Sequence, residues 1–193
     1  TLEQSLVRQF ELPLDRKIKA LSRGMKMKLA LASVLAFHPR LIILDEPFGG
    51  LDPLVRDQLI EGLLERATES TILISSHDLA EIESFASHVG FLEQGRLRIS
   101  EEMTTLTQRF REVELTLEGQ PIAPENLPST WIRADSTAAV VRFIETRFDE
   151  DRTTAEIQRL FGDVRNLTFT PMSLRSIFLA TARARHDLRK DAP

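Results

Sequence analysis

The sequence predicts an α/β protein with a parallel sheet in its first part, followed by a small α+β module. Two short apolar runs, residues 41–44 and 71–74, predict strands that are buried in a sheet. Helical patterns alternate with these runs, and such alternation is typical of a parallel sheet. From residue 111 onward, alternating apolar and polar positions separated by turn residues replace this pattern. The chain is therefore expected to contain two kinds of architecture.

Helical spacing locates the elements of the first part. Met25, Leu29, Ala32 and Ala36 predict an amphipathic helix over residues 24–37, which Pro39 ends. The other predicted elements are a helical turn or two in residues 1–10, a helix after Pro53 with Val55, Leu59 and Leu63 on one face, a helix over residues 79–86, and a hairpin whose strands, 89–92 and 96–99, flank Glu93-Gln94-Gly95.

The second part has signals for hairpins and for two helices. Asp135-Ser136 predicts a turn between strands over residues 131–134 and 138–143, and Ser173 predicts the cap of a closing helix over residues 173–184. A strand over 113–117, a proline-rich connection over 120–128, a helix over 153–161 and a strand over 164–169 complete the prediction. Residues from 185 onward are charged and are expected to fray.

Composition restricts the class of protein. The 193 residues are 42% hydrophobic and 28% charged, which is ordinary for a soluble globular chain, and no apolar stretch is long enough to cross a bilayer. The absence of cysteine excludes disulfides and thiolate metal sites. A net charge of -4 argues against nucleic acid as the main partner. Because the first residue is Thr1, we expect these residues to be part of a longer gene product.

Ionisable residues follow both predicted strands directly. Asp45 and Glu46 come after the first strand, and His77 follows the second. Ligands of open parallel sheets bind at the carboxyl ends of strands, so these groups can converge there. Phosphoryl transfer needs such a set: a carboxylate for hydrated Mg²⁺, another to polarise water, and a third group to orient the γ-phosphate. Taken alone, Asp45 and Glu46 are also explained as a helix or turn cap after the strand, and His77 as a loop histidine without a role.

A capped turn precedes the first long helix. Ser22 can cap the helix, Gly24 allows close backbone approach, and the free N–H groups at the helix start can bind an anion. A structural serine cap explains this segment equally well. Lys26 and Lys28 are equally explained as a solvated helix face.

The order of these motifs resembles the ATP-binding cassette (ABC) ATPase family. In that resemblance, residues 21–25 match the ABC signature, residues 41–46 match the Walker B strand, residues 50–53 match the D-loop, and His77 matches the switch histidine. The implied fold is a partial P-loop NTPase-like parallel sheet, the C-terminal half of an ABC ATPase. The resemblance covers roughly residues 5–101.

The family implies a role for each matched residue. Asp45 would support Mg²⁺, Glu46 would be the general base, and His77 would contact the γ-phosphate of ATP. Asp52 would line the interface between two ATPase subunits. The signature residues Ser22, Arg23, Gly24 and Met25 would contact ATP held by the second subunit.

Two features refine the resemblance. Arg23 and Met25 stand where glycine and glutamine are usual in the signature, and such variants occur in bacterial ATPases that drive export permeases. Residues 172–183 resemble the closing helix of that exporter group. An ordinary amphipathic C-terminal helix is the alternative for this segment.

The phosphate-binding P-loop, Gly-x-x-x-x-Gly-Lys-Ser/Thr, does not occur in these residues, since none of the eight glycines is followed by lysine. We therefore expect the C-terminal half of a cassette, which binds no ATP or Mg²⁺ and is inactive alone. We also expect its truncation to expose apolar surface and to favour a dimer or larger assembly. The expected domains are a remnant of the helical signature subdomain (1–39), the ATPase core half (40–110), an accessory α+β domain (111–186) and a tail (187–193).

The resemblance implies an ATPase subunit at the inner face of the cell membrane. It would be cytoplasmic, attached through a membrane permease, and paired with a second ABC ATPase subunit. Two alternatives stay open: a non-transport ABC ATPase that acts on DNA or ribosomes, and a non-catalytic regulatory or dimerisation module.

Overall fold

The computed structural model describes residues 2–65, 69–118, 127–137 and 139–190. The chain divides into two compact units, Thr1–Phe85 and Ala86–Pro193. The predicted class, an α/β part with parallel strands followed by an α+β part, is confirmed. The finer domain boundaries proposed from the sequence stay predictions.

The first unit is built around two parallel strands. Its elements are α1 (Leu2–Gln9), a 3₁₀ turn (Ile18–Ala20), α2 (Arg23–Leu35), β1 (Leu41–Asp45), α3 (Pro53–Leu64), β2 (Thr71–Ser75) and α4 (Leu79–Glu83). β1 and β2 pair in register from Leu41 opposite Thr71 to Asp45 opposite Ser75. Because the strands run in parallel, their carboxyl ends lie at the same edge of the sheet.

The core of this unit lies where the helices meet one face of the strand pair. Its largest buried side chains include Leu6, Phe10, Leu35, Ile42 and Leu59. Within helix α3, Gly62 makes room for the Phe10 ring, since a Cβ atom at Gly62 would lie 2.5 Å from the ring atom Cζ. Glycine in a helix interior lowers the stability of the helix, and the close approach of Phe10, which directly follows α1, explains why glycine stands here.

The other face of the strand pair is bare in the described part of the chain. Ile42 is buried, whereas Leu41, Ile43 and Leu73 are 54%, 66% and 59% exposed. The expectation of fully buried strands was therefore wrong for one face. Alternate side chains of a strand point to opposite faces, and the core described above covers only the face to which Ile42 belongs.

The second unit contains a hairpin and an antiparallel sheet. Its elements are β3 (His88–Glu93), β4 (Arg96–Glu102), α5 (Met103–Arg109), β5 (Arg111–Leu117), β6 (Trp131–Ser136), β7 (Val140–Glu145), α6 (Glu150–Phe161), β8 (Val164–Pro171) and α7 (Leu174–Lys190). The strand order of the sheet is β6-β7-β5-β8. Gln94 and Gly95 both have positive φ between the paired residues Glu93 and Arg96, which is the conformation of a two-residue type I′ hairpin.

Trp131 and Glu145 lie in the interior of the second unit. The indole of Trp131 stacks on Phe143 with ring centroids 3.8 Å apart. Its Nε1–H donates to Oε2 of Glu145 at 2.9 Å, and Glu145 is fully buried. A carboxylate that is buried in this way needs several donors, and the hydroxyl of Thr130 and the backbone N–H of Arg147 supply two more.

Several boundaries differ from the sequence prediction. Helix α4 ends at Glu83, because Ser84 caps it before the chain enters β3. Helix α6 starts three residues before Thr153, because Asp149 accepts from the N–H of Arg152. The hairpin turn lies after Ser136, not at Asp135-Ser136. The predicted connection over 120–128 falls mostly outside the described residues.

Candidate active site

The carboxyl ends of β1 and β2 bring an acidic residue and a histidine into contact. Asp45 ends β1 and pairs with Ser75 at the end of β2. Glu46 and His77 follow in the two loops, and Nδ1 of His77 lies 2.7 Å from Oε2 of Glu46. The structure therefore places the three residues singled out from the sequence at one edge of the sheet. This is the edge at which open α/β proteins bind ligands.

Ser75 supports both acidic residues, a role that was not predicted. Its Oγ donates to Oδ1 of Asp45. The backbone N–H of Glu46 donates to the Oγ and to the carbonyl oxygen of Ser75, at 3.0 and 3.1 Å. Glu46 has a φ of 46°, which is uncommon for a residue other than glycine. These hydrogen bonds across the strand pair offset the cost of that conformation.

The contact between Glu46 and His77 is electrostatically favourable. The hydrogen bond to Glu46 and then the negative charge of Glu46 raise the pKa of His77 above its ordinary value, and Asp78 and Glu81 act in the same direction. The side chains are 81% (His77) and 41% (Glu46) exposed, so water reaches the pair. Since an ionised carboxylate only accepts, the neutral imidazole carries its proton on Nδ1 in this contact. The pair can therefore hold and transfer a proton.

The signature-like turn forms the start of helix α2. Oγ of Ser22 accepts from the N–H of Met25 at 3.2 Å, so the predicted cap is confirmed. Gly24 packs against α3, since a Cβ atom there would lie 2.9 Å from Cγ1 of Val55. The guanidinium of Arg23 lies against Gly50, with Nη1 2.8 Å from the position that a Cβ of Gly50 would take. Packing within the chain thus explains Gly24, and the predicted contacts with ATP stay predictions.

Asp52 has a structural task in this chain. Its Oδ1 accepts from the N–H of Val55 at 3.1 Å, which caps helix α3 directly before Pro53 in the first turn. The negative charge of a capping aspartate also interacts favourably with the positive end of the helix dipole. The place of Asp52 in an interface between two subunits stays a prediction.

Lys28 corrects the expectation of a solvated helix face. The side chain is 6% exposed, and its Nζ donates to Oε1 of Gln58 on α3 at 2.5 Å. Lys26 is exposed, as expected. The helical periodicity of α2 could not reveal that Lys28 faces a polar residue 30 positions later in the chain.

The strand-end residues fit Mg²⁺ only in part. Among the described residues, no group of three or more histidines, cysteines or acidic residues is placed to hold a metal ion. Mg²⁺ is usually bound through one or two carboxylates together with water and substrate phosphates. Asp45, oriented by Ser75, has the oxygen chemistry for such a site. Its predicted metal role therefore fits the donor set, provided that a nucleotide supplies the other oxygens.

A protein-family model matches the first unit. Residues 4–83 match the family described as "AAA domain, putative AbiEii toxin, Type IV TA system". A solved structure titled "Structure of ATP binding subunit of ABC transporter" superposes with a TM-score of 0.49 at 34% identity, over 54% of this chain and 45% of that chain.

Curated relatives are ATP-binding proteins of transporters. The chain is 27% identical to the ABC transporter ATP-binding protein YtrB of Bacillus subtilis, over 93% of this chain and 61% of that protein. It is 34% identical to the bacitracin transport ATP-binding protein BcrA of Enterococcus faecalis, over 73% of this chain and 46% of that protein. The resemblance inferred from the motifs is therefore confirmed: the chain is a relative of the ATP-binding proteins of ABC transporters.

The chain matches only part of the length of these relatives, 61% of the first and 46% of the second. Among the described residues, no helix has the length and apolar character needed to cross a membrane.

Proposed function

We propose that these residues form the hydrolytic part of the ATP-binding subunit of an ABC transporter, which couples ATP hydrolysis to export through a membrane permease. The observation that carries the proposal is the 2.7 Å contact between Glu46 and His77, next to Asp45 at the carboxyl edge of parallel strands. The relatedness to transporter ATP-binding proteins supports it. The resemblance of residues 172–183 to an exporter helix supports the direction of transport.

Glu46 is proposed as the general base and His77 as the residue that contacts the γ-phosphate. The carboxylate of Glu46 is accessible to water and can accept a proton from it. Because Nδ1 of His77 is engaged by Glu46, Nε2 is the nitrogen that faces an anionic oxygen, and it donates to that oxygen when the imidazole is protonated on both nitrogens. The raised pKa of His77 favours this protonated form. Asp45 is held by Ser75 as the candidate ligand of a hydrated cation. When bound, ATP with Mg²⁺ supplies the phosphoryl group and neutralises its charge.

The start of helix α2 is proposed to act on nucleotide held by a second ATPase subunit. Ser22 caps the helix, and Arg23, Gly24 and Met25 lie in its first turn, where N–H groups and the helix dipole favour an anion. Arg23 is exposed and adds a positive charge to this turn. Asp52 belongs to the neighbouring turn and is proposed to line the same interface. This arrangement predicts that activity needs two subunits.

The partners of the chain follow from this function. They are a membrane permease and a second ATPase subunit, so the protein is cytoplasmic and peripheral at the inner face of the membrane. The bare apolar face formed by Leu41, Ile43 and Leu73 supports association with further protein. We propose a homodimer as the simplest such assembly.

The match of residues 4–83 to the AAA-domain family with a toxin description favours a second candidate, a non-transport ATPase. Affinity purification of the natural full-length protein from its own cells separates the two. Recovery of an integral membrane protein supports the transporter. Recovery of nucleic acid or ribosomes supports the non-transport ATPase, and recovery of neither favours a regulatory module.

Hydrolysis is tested on the same full-length protein with Glu46→Gln. Loss of a general base is expected to lower kcat by about 100-fold or more. Glu61→Gln, an exposed residue of α3, is the matched control and is expected to keep wild-type turnover. Wild-type turnover in Glu46→Gln would show that Glu46 is not the base.

A further inference from the structure

An ion pair joins helix α3 to helix α4, the helix that begins two residues after His77. Nη1 of Arg56 donates to Oε1 of Glu81 at 2.7 Å, and the side chains are 30% (Arg56) and 11% (Glu81) exposed. The hydrogen bond to Glu81 is also the largest cause that raises the pKa of Arg56. Water and salt screen such a partly buried pair less than a fully exposed one.

Helix α4 is too short to fix its own position. It has five residues, and helices of this length are not stable without tertiary contacts. Asp78 caps it through the N–H of Ala80 at 3.2 Å, and His77 is the residue directly before that cap. Any rotation or shift of α4 therefore moves the imidazole of His77 relative to Glu46.

Helix α4 contacts the rest of the first unit through its middle and just beyond its carboxyl end. Beyond the carboxyl end, Phe85 packs edge-on against Phe48 with ring centroids 5.9 Å apart, and Phe48 is two residues after Glu46. Glu81, in the middle of the helix, is bound by Arg56. Arg56 in turn lies one turn after the Asp52 cap of α3, and its backbone N–H donates to the carbonyl of Asp52. A continuous set of contacts thus runs from the Asp52 turn to His77.

We propose that Arg56 and Glu81 are positioning residues that hold helix α4 so that Nδ1 of His77 meets the carboxylate of Glu46. The significance of this pair for catalysis rests on the proposed function. The positional effect itself is a property of the fold and can be measured without nucleotide.

The direction in which the pKa of His77 shifts when Arg56 is removed distinguishes a positioning role from a simple effect of charge. The charged groups that act on His77 are Glu46, Asp78 and Glu81, all of which favour its protonated form. Arg56 is a cation, so its removal would by charge alone raise the pKa of His77. If Arg56 instead positions His77 on Glu46, its removal breaks the contact and lowers that pKa. The two explanations predict opposite shifts.

The experiment is a ¹⁵N NMR titration of the histidines in the 193-residue chain. The chain has four histidines, and the His77 signal is assigned by its loss in His77→Gln. Glu46→Gln calibrates the full decrease in the pKa of His77. In Arg56→Gln, which changes helix propensity little, we expect a decrease of at least half that size. We also expect the neutral imidazole to move its proton from Nδ1 to Nε2, since its acceptor is lost.

Two further variants complete the test. Arg56→Lys keeps a donor for Glu81 and is expected to keep the wild-type pKa and tautomer of His77. Arg40→Gln removes an exposed cation from the opposite end of β1 and is the matched control, with no expected decrease. An unchanged or raised pKa of His77 in folded Arg56→Gln would overturn the proposal.

A second variant covers the outcome in which Arg56→Gln does not fold, as judged by circular dichroism. Glu81→Gln is then measured, with the tautomer as the deciding readout. A neutral His77 that keeps its proton on Nδ1 would overturn the proposal, and a shift to Nε2 would support it. If this test succeeds while Glu46→Gln leaves ATP hydrolysis unchanged, the proposed function fails and the positioning pair stands.

Discussion

Gly24 and Val55 approach so closely that helices α2 and α3 leave no room for a side chain between them. A Cβ atom at Gly24 would lie 2.9 Å from Cγ1 of Val55. The glycine of the signature-like turn therefore has a packing reason of its own. This relationship allows its structural and functional roles to be separated by experiment.

Gly24→Ala is expected to destabilise the first unit by about 1–3 kcal/mol, because the added methyl group overpacks the contact. The double variant Gly24→Ala with Val55→Ala creates space and is expected to recover most of that loss in urea unfolding. If the full-length double variant is stable but inactive in ATP hydrolysis, Gly24 also acts on nucleotide. Equal stability of Gly24→Ala and the wild type would contradict the packing explanation.

The 193 residues alone are expected to release no phosphate from ATP above background. Glu46 and His77 are in place, but these residues contain no Gly-x-x-x-x-Gly-Lys segment to hold the phosphates. The measurement is phosphate release by the purified chain, with Glu46→Gln as the reference for contamination. Hydrolysis that disappears in Glu46→Gln would prove this prediction wrong.

The Glu46–His77 contact is expected to make stability depend on pH. The pKa of folded His77 is raised, so the contact stabilises the fold fully below the unfolded pKa of about 6.5. This contribution is lost as the pH rises through the higher folded pKa. Urea unfolding between about pH 5.5 and 8 should therefore show the largest difference between wild type and Glu46→Gln at the acidic end. A difference that grows with pH would have the wrong sign, and Glu61→Gln should show no such trend.

Glu145 is expected to be essential for the stability of the second unit. Glu145→Ala leaves the indole N–H of Trp131 and the hydroxyl of Thr130 without their acceptor, at an expected cost of about 3 kcal/mol. Glu145→Gln keeps one acceptor oxygen and should cost less. Trp131 is the single tryptophan of the chain, so its fluorescence reports this unit directly. The control, Glu112→Ala on β5, removes an exposed carboxylate and should change stability little; an equal loss in both variants would refute the role of Glu145.

The bare face of β1 and β2 is expected to drive self-association. Sedimentation velocity at several concentrations should show a dimer or larger species. Ile43→Thr with Leu73→Thr removes exposed apolar surface from this face and should shift the chain toward monomer. Leu92→Thr removes a leucine of the second unit that is more exposed than Ile43 or Leu73, and it is the control. A wild-type monomer at all concentrations would count against this expectation.

Much of the fold could be predicted because its signals are local. Pro53 and the capping residues Ser22 and Ser173 mark helix starts within a few residues, and the apolar runs mark β1 and β2. Boundaries were less accurate at α4, since a five-residue helix depends on tertiary contacts more than on its own sequence. The exposure of Ile43 was not predicted either, because a short apolar run does not reveal how many of its faces are covered.

For the candidate site, local sequence alone establishes that Asp45, Glu46 and His77 lie at or just beyond the ends of strands, since strand and loop patterns span only a few residues. The contacts between residues that are far apart in the sequence are determined only by the packing of the chain. Ser75 reaches Asp45 across 30 positions, and Arg56 reaches Glu81 across 25. Neither partner is marked by any spacing rule, because strand register and helix orientation exist only after the core has formed. The sequence thus determines which residue types lie at the carboxyl edge of β1 and β2, and the tertiary structure determines the hydrogen bonds between them.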